Sequence, residues 1–140
     1  MQCTIHWMPQ SGMAFSAETG SGHLITMDGA PEGGGRNLAP RPMETLLAGA
    51  GACSAYDVVL ILQRGRQKIS GCRVEVKADR ADTDPKVFTR VEMRYIVTGT
   101  ELSAAAVERA VKLSHEKYCS ATAMLVKTAE IHSSIEIVAA

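Results

Sequence analysis

Aromatic residues are scarce in this chain, at 4%, and charge of either sign is balanced: 15 Lys and Arg against 15 Asp and Glu. Without net charge there is no field to gather nucleic acid or an anionic membrane surface. With few aromatics there are few platforms on which bases could stack. The N-terminal stretch "MQCTIHWMPQSG" lacks a basic start followed by a long apolar run, so no secretory signal is visible. The longest apolar run, "LLAGAGACSAYDVVLIL" (46–62), contains Asp57 and several glycines. It falls short of the roughly 20 apolar residues of a membrane helix, and a central carboxylate is poorly tolerated there. No P-loop, dinucleotide fingerprint, HExxH or serine nucleophile elbow is present. Internal repeats and low-complexity segments are also absent. These absences predict a cytoplasmic protein with neither a membrane nor a nucleic-acid partner. In that compartment stable structural disulfides are rare. Cys3, Cys53, Cys72 and Cys119 therefore read as reduced thiols, with any disulfide transient.

What remains is a globular composition, 46% hydrophobic and 21% charged over 140 residues. That length suits one domain, residues 1–140, with a single core. "CTIHWM" (3–8), "MAFSAE" (13–18) and "HLITMD" (23–28) read as a small antiparallel meander. "GAPEGGGRNLAP" (29–40) reads as a loop, its glycines and prolines excluding a regular element. Its "EGGGRN" is a weak anion-binding candidate, since backbone N–H groups of glycine loops can cradle anions. A helix follows from Pro42, a first-turn proline, to about Arg66, with Glu44 where the helix dipole favours a carboxylate. Leu46, Leu47, Ala50, Cys53, Tyr56, Val59, Leu60 and Leu62 leave it no broad polar face, so it is expected to be buried on most sides. At about 1.5 Å per residue it would span nearly 40 Å. That is long for a domain of this size and implies that a second chain covers part of it.

"GCRVEVKAD" (71–79) and "VFTRVEMRYIVTG" (87–99) alternate with period two and form a long hairpin. "ELSAAAVERAVKLSHEKY" (101–118) is an amphipathic helix capped at Ser103, with Val107, Ala110, Val111 and Ser114 inward. A short helix over 120–129 and a closing strand over 130–138 complete the order βββ-α-ββ-αα-β, an α+β layout.

Among the cysteines, Cys53 lies mid-helix, far from the helix N-terminus, with Asp57 one turn on along the same face. Local sequence favours a buried packing role for it, because free cysteine is among the most buried residue types. Cys119 falls at a break between helices, beside Lys117, where a thiolate would be stabilised. Reactive and packing readings stand level there. His115 could share a metal with Cys53 and Cys119, but it reads better as an exposed helix histidine. Cys3 and Cys72 sit in strand patterns and read as packing residues.

"PRPMETLLAGAGACSAYDVVLIL" (40–62) resembles the signature helix of the OsmC/Ohr family, and "LSHEKYCSATAML" (113–125) resembles its second-cysteine segment. The Cys53–Cys119 spacing and the element order fit as well, so the resemblance covers nearly the whole chain. "RPMETLLAGAGACSAYDVV", "VTGTEL" and "EKYCSA" look most like the YhfA-like branch. The resemblance implies an intertwined homodimer around two long central helices, with the small residues beside Cys53 letting those helices cross closely. It also implies a thiol peroxidase acting on organic hydroperoxides or hydrogen peroxide in oxidative-stress defence, with no bound cofactor and no metal. Cys53 would attack the peroxide and Cys119 would resolve the sulfenic acid. An external dithiol, a lipoyl protein among the possibilities, would restore both. This assignment reverses the local preference for Cys119 as the reactive thiol. Glu44 matches the family's assisting glutamate. Arg36, then Arg41, are the candidates for its assisting arginine, and Asp57 would be an arginine partner or a helix-packing residue. The alternative is a non-catalytic relative binding a small ligand at the dimer interface.

Overall fold

The computed structural model describes residues Met1–Ala140. They divide into two compact units, Met1–Leu46 and Leu47–Ala140.

The first unit is built on an antiparallel sheet in the order β1-β2-β3, from β1 (Cys3–Met8), β2 (Ala14–Thr19) and β3 (Leu24–Met27). Ala14 and Ala17 on β2 are its buried apolar residues. Cys3, expected to pack, is exposed instead. The reason is that β1 is an edge strand with β2 on one side only, and it is exposed along nearly all its length.

The glycine-rich loop does contain a short regular element, against expectation. Pro31–Gly33 makes a 3-10 turn, closed by the Gly34 N–H donating to Pro31 O at 3.0 Å. Such a turn needs only i→i+3 bonds, which glycines can supply. The buried Asp28 organises the rest. Its carboxylate accepts the backbone N–H of Gly29 at 2.7 Å, of Arg36 at 3.1 Å and of Leu38 at 3.0 Å. These bonds, Leu38 first, outweigh burial and hold the Asp28 carboxyl below its usual range. The loop closes so tightly that a Cβ on Gly35 would lie 2.0 Å from the Gly29 carbonyl oxygen.

The second unit holds β4 (Lys68–Arg80), β5 (Phe88–Thr100) and β6 (Glu130–Ala139). β4 and β5 form the expected long antiparallel hairpin, and β6 lies parallel to β5 on its other side. A parallel neighbour requires a crossover. Here it is α2 (Ala104–Leu113), a π-helical turn (Ser114–Tyr118) and α3 (Ser120–Leu125). The expected single helix over 101–118 is thus α2 plus one π turn, and α3 stops short of residue 129. Ser103 caps α2, its Oγ accepting the Ala106 N–H at 3.3 Å. Val107, Ala110, Val111 and Ser114 face inward as their spacing requires. Being central, β5 supplies much of the core: Val91, Met93, Tyr95 and Val97 are all buried.

The long helix α1 (Pro42–Arg64) has 23 residues, roughly 35 Å at the standard rise. Against the expectation from the 46–62 run, it passes as a membrane span by length and composition alone, a test that the core helix of a soluble protein also passes. Its buried residues are Ala50, Gly51, Ser54, Val58 and Leu62, with Ala50, Ser54, Val58 and Leu62 four apart along one face. The expectation of burial on most sides does not hold in a single chain: Leu46 is 52% and Tyr56 69% exposed.

Candidate functional site

Within the second unit the fold brings the two singled-out cysteines together. Cys53 projects half-buried from the middle of α1, and Cys119 is buried at the start of α3. The π turn places Cys119: its N–H reaches back five residues to Ser114 O at 2.8 Å, which adds a residue to the turn before the chain leaves the helix. The Cys119 Sγ accepts the Thr122 N–H at 3.4 Å, and the Thr122 hydroxyl donates to Cys119 O at 3.1 Å.

The Cys53 thiol lies near enough to the Cys119 thiol to act on its ionisation. Both are free. Burial, first among the causes, pushes the Cys119 thiol up, and Cys53 adds to this against the downward pull of the Thr122 hydroxyl and N–H. The expected stabilisation of a Cys119 thiolate by its helix end and Lys117 therefore loses to desolvation. The Lys117 ammonium lies instead over the Tyr118 ring, 5.4 Å from its centre. Cys72, half-buried on β4, is likewise pushed up by burial.

Behind the thiols lies a buried polar network that sequence reasoning missed. Ser54, Tyr95 and Ser114 are each 0% exposed. The Ser54 Oγ is 2.6 Å from the Tyr95 hydroxyl and 2.8 Å from the Ser114 Oγ. The Ser114 hydroxyl donates to Asp57 Oδ2 at 3.2 Å, and the Tyr95 hydroxyl is 2.8 Å from His115 Nε2.

Each hydroxyl carries one proton, and a carboxylate only accepts. With Ser114 donating to Asp57, the other contacts are satisfied by Ser54 donating to Ser114, Tyr95 to Ser54 and His115 Nε2–H to Tyr95; the Tyr95 hydroxyl also lies 3.4 Å from Met93 Sδ, and the Ser114 Oγ 3.4 Å from Ser54 O. In this arrangement all four donors point toward Asp57, and His115 carries its proton on Nε2. Burial pushes the Tyr95 phenol up to about 12 and the His115 imidazole down.

Two expectations change here. His115 is half-buried and bonded, not an exposed helix residue. Asp57 is an acceptor for Ser114, with no arginine attached to it. No three His, Cys, Asp or Glu side chains converge as a metal site would require.

The remaining singled-out residues belong to the first unit. Glu44 accepts the Arg41 N–H at 2.9 Å through Oε2 and pairs with Arg41 Nη1 at 3.3 Å through Oε1. In this unit Arg41 is thus the arginine that Glu44 engages. Arg36, ranked ahead of it from sequence, is fixed through its backbone N–H on Asp28. Its Nε lies 3.9 Å from the position of a Cβ on Gly12.

Residues 33–134 match the family model described as OsmC-like protein. The chain is 47% identical to Protein YhfA of Escherichia coli (strain K12) over 140 residues, which is 100% of both chains. Among solved structures, a hypothetical protein from Aquifex aeolicus VF5 aligns with a TM-score of 0.84 at 30% identity, covering 99% of this chain and 96% of that one. An organic hydroperoxide resistance protein OsmC from Legionella pneumophila aligns with a TM-score of 0.68 over 97% of both chains. At 17% identity it shares the fold. From the family match, the full-length relative and the βββ-α-ββ-αα-β fold, this chain belongs to the OsmC family and to its YhfA-like branch.

Proposed function

We propose that this protein is a homodimeric, cytoplasmic thiol peroxidase that reduces organic hydroperoxides or hydrogen peroxide in oxidative-stress defence. The observation that carries the reading is the meeting of Cys53 and Cys119, distant in sequence, as neighbouring free thiols. Membership of a family whose fold is shared by an organic hydroperoxide resistance protein supports it. The apolar residues of α1 left uncovered by a single chain support the dimer.

In the first step the Cys53 sulfur attacks the outer peroxide oxygen. An S–O bond forms, the O–O bond breaks, and the alkoxide leaves as the alcohol after taking a proton. Cys119 then attacks the Cys53 sulfenic acid. The S–S bond forms, the S–O bond breaks, and hydroxide departs as water with the Cys119 proton. An external dithiol, such as that of a lipoyl protein, reduces the disulfide by exchange and is itself oxidised. No bound cofactor or metal enters these steps. The raised pKa of Cys119 suits the resolving role, since a buried neutral thiol is a poor first nucleophile. The family resemblance assigns the assisting positive charge to Arg36 or Arg41, with Glu44 as the assisting glutamate.

One equivalent of an organic hydroperoxide should remove two thiols per chain and leave a Cys53–Cys119 disulfide in peptide maps. In Cys119→Ser the product should stop at a Cys53 sulfenic acid that dimedone traps. Both cysteines remaining free after peroxide treatment would end this reading.

A further inference from the structure

We propose that the hydroxyls of Tyr95, Ser54 and Ser114 are positioning groups that hold the two thiols in register and so set how readily the Cys53–Cys119 disulfide closes. The inference rests on the two-thiol reading above but not on its oxidant.

Ser54 directly follows Cys53 on α1, so its bonds fix the turn of the helix on which that thiol sits. Ser114 holds the other side, since its carbonyl accepts the Cys119 N–H at 2.8 Å. The two cysteine segments are thus joined through the Ser114 Oγ, which lies 2.8 Å from Ser54 Oγ, 3.4 Å from Ser54 O and 3.2 Å from Asp57 Oδ2. Both are referred to the central strand β5 through the Tyr95 hydroxyl, 2.6 Å from Ser54. Three fully buried hydroxyls are costly to place in a core unless all are satisfied. Here each one is, in a single order that ends on Asp57. Apolar residues of similar size would pack the same space without fixing a direction. What the hydroxyls add is angular definition of two segments far apart in sequence, at the one point where those segments carry thiols. Effective molarity depends on such orientation.

The test needs no peroxide. Purified full-length chain is equilibrated in glutathione buffers: the Cys53–Cys119 dithiol plus oxidised glutathione gives the protein disulfide plus two reduced glutathiones. Peptide mapping scores that bond alone, so Cys3 and Cys72 do not interfere. Tyr95→Phe keeps the ring and removes the hydroxyl, and Ser114→Ala is the smaller change that carries the test should Tyr95→Phe not fold. The equilibrium constant should fall about tenfold or more in each, roughly 30 mV for a two-electron couple.

A merely structural role would lower the melting points of the oxidised and reduced forms equally and leave the constant where it was. Constants within about twofold of the unmodified chain would therefore overturn the proposal, as would an unmodified chain whose disulfide does not close in oxidised glutathione. A chain that closes with glutathione but not with hydroperoxide would sink the peroxidase reading and leave this one standing.

Discussion

Replacing Gly51 with alanine sets helix propensity against packing at one atom. Both Gly49 and Gly51 are interior to α1. Glycine to alanine in a helix interior contributes about 1 kcal/mol of stability where space allows. A Cβ on Gly49 meets nothing of its own chain within 4 Å, so in the absence of a partner there Gly49→Ala should gain most of that amount. A Cβ on Gly51 would lie 2.9 Å from Val76 Cγ2 on β4. Two carbons settle at roughly 3.5–4.0 Å, and a valine in a strand has little χ1 freedom to move aside. Helix or strand must shift, and overpacking of this kind costs about 1–3 kcal/mol.

The expected result is a Gly51→Ala chain about 0–2 kcal/mol less stable than the parent, the propensity gain being already subtracted. Urea unfolding midpoints of the reduced protein, at one fixed protein concentration, measure this. Adding Val76→Ala to Gly51→Ala should recover part of the loss, giving a favourable coupling between the two sites. A Gly51→Ala chain as stable as Gly49→Ala would refute the reasoning, and so would zero coupling to Val76.

Three further outcomes follow from the buried polar groups. Asp28 has its folded pKa below the unfolded value of 3.8, so its stabilisation is complete above that value and is lost as pH falls through the depressed one. Asp28→Asn should therefore flatten the acid limb of a stability-against-pH curve, and an unchanged limb would count against the clamp. Tyr95, raised from 10.0 to about 12, keeps its proton in the fold when the unfolded chain has lost it. Stability should fall as pH rises through that window, and an ultraviolet titration should show one late-ionising tyrosine that Tyr95→Phe removes. Nitrogen NMR should find the His115 proton on Nε2, and a proton on Nδ1 instead would contradict the donor order that ends at Asp57.

Much of this architecture can be read from the chain because local pattern and tertiary demand coincide. The period-two runs of β4 and β5, the Ser103 cap and the inward stripe of α2 are decided by neighbours a few residues away. The parallel seat of β6 beside β5 is not, since edge pairing is a long-range choice with no local mark. The π turn at Ser114–Tyr118 also escapes, because one extra residue in a helix changes no composition.

At the site, Cys53, Cys119 and Glu44 stand out through motif, whereas the network behind them does not. Tyr95 sits in "MRYIV", where an aromatic reads as core, and it is core apart from its hydroxyl. The available signal was three hydroxyl residues, Ser54, Tyr95 and Ser114, at positions whose periodicity asks for apolar side chains. Leu46 and Tyr56 mislead in the opposite sense: their pattern reports burial that a single chain does not provide.

Under the proposed two-thiol reading, the crossover from β5 to β6 would couple stability to redox state. Cys53 lies before β4, and Cys119 lies on the crossover after β5 and α2. A bond between them closes a covalent ring around the whole hairpin and the first crossover helix. By chain entropy alone a ring of that size removes roughly 4 kcal/mol of freedom from the unfolded ensemble. Each turn of the cycle would then tighten and release the unfolding equilibrium of the second unit. Resistance to heat or to a protease would report the redox state of the chain, with no chromophore needed.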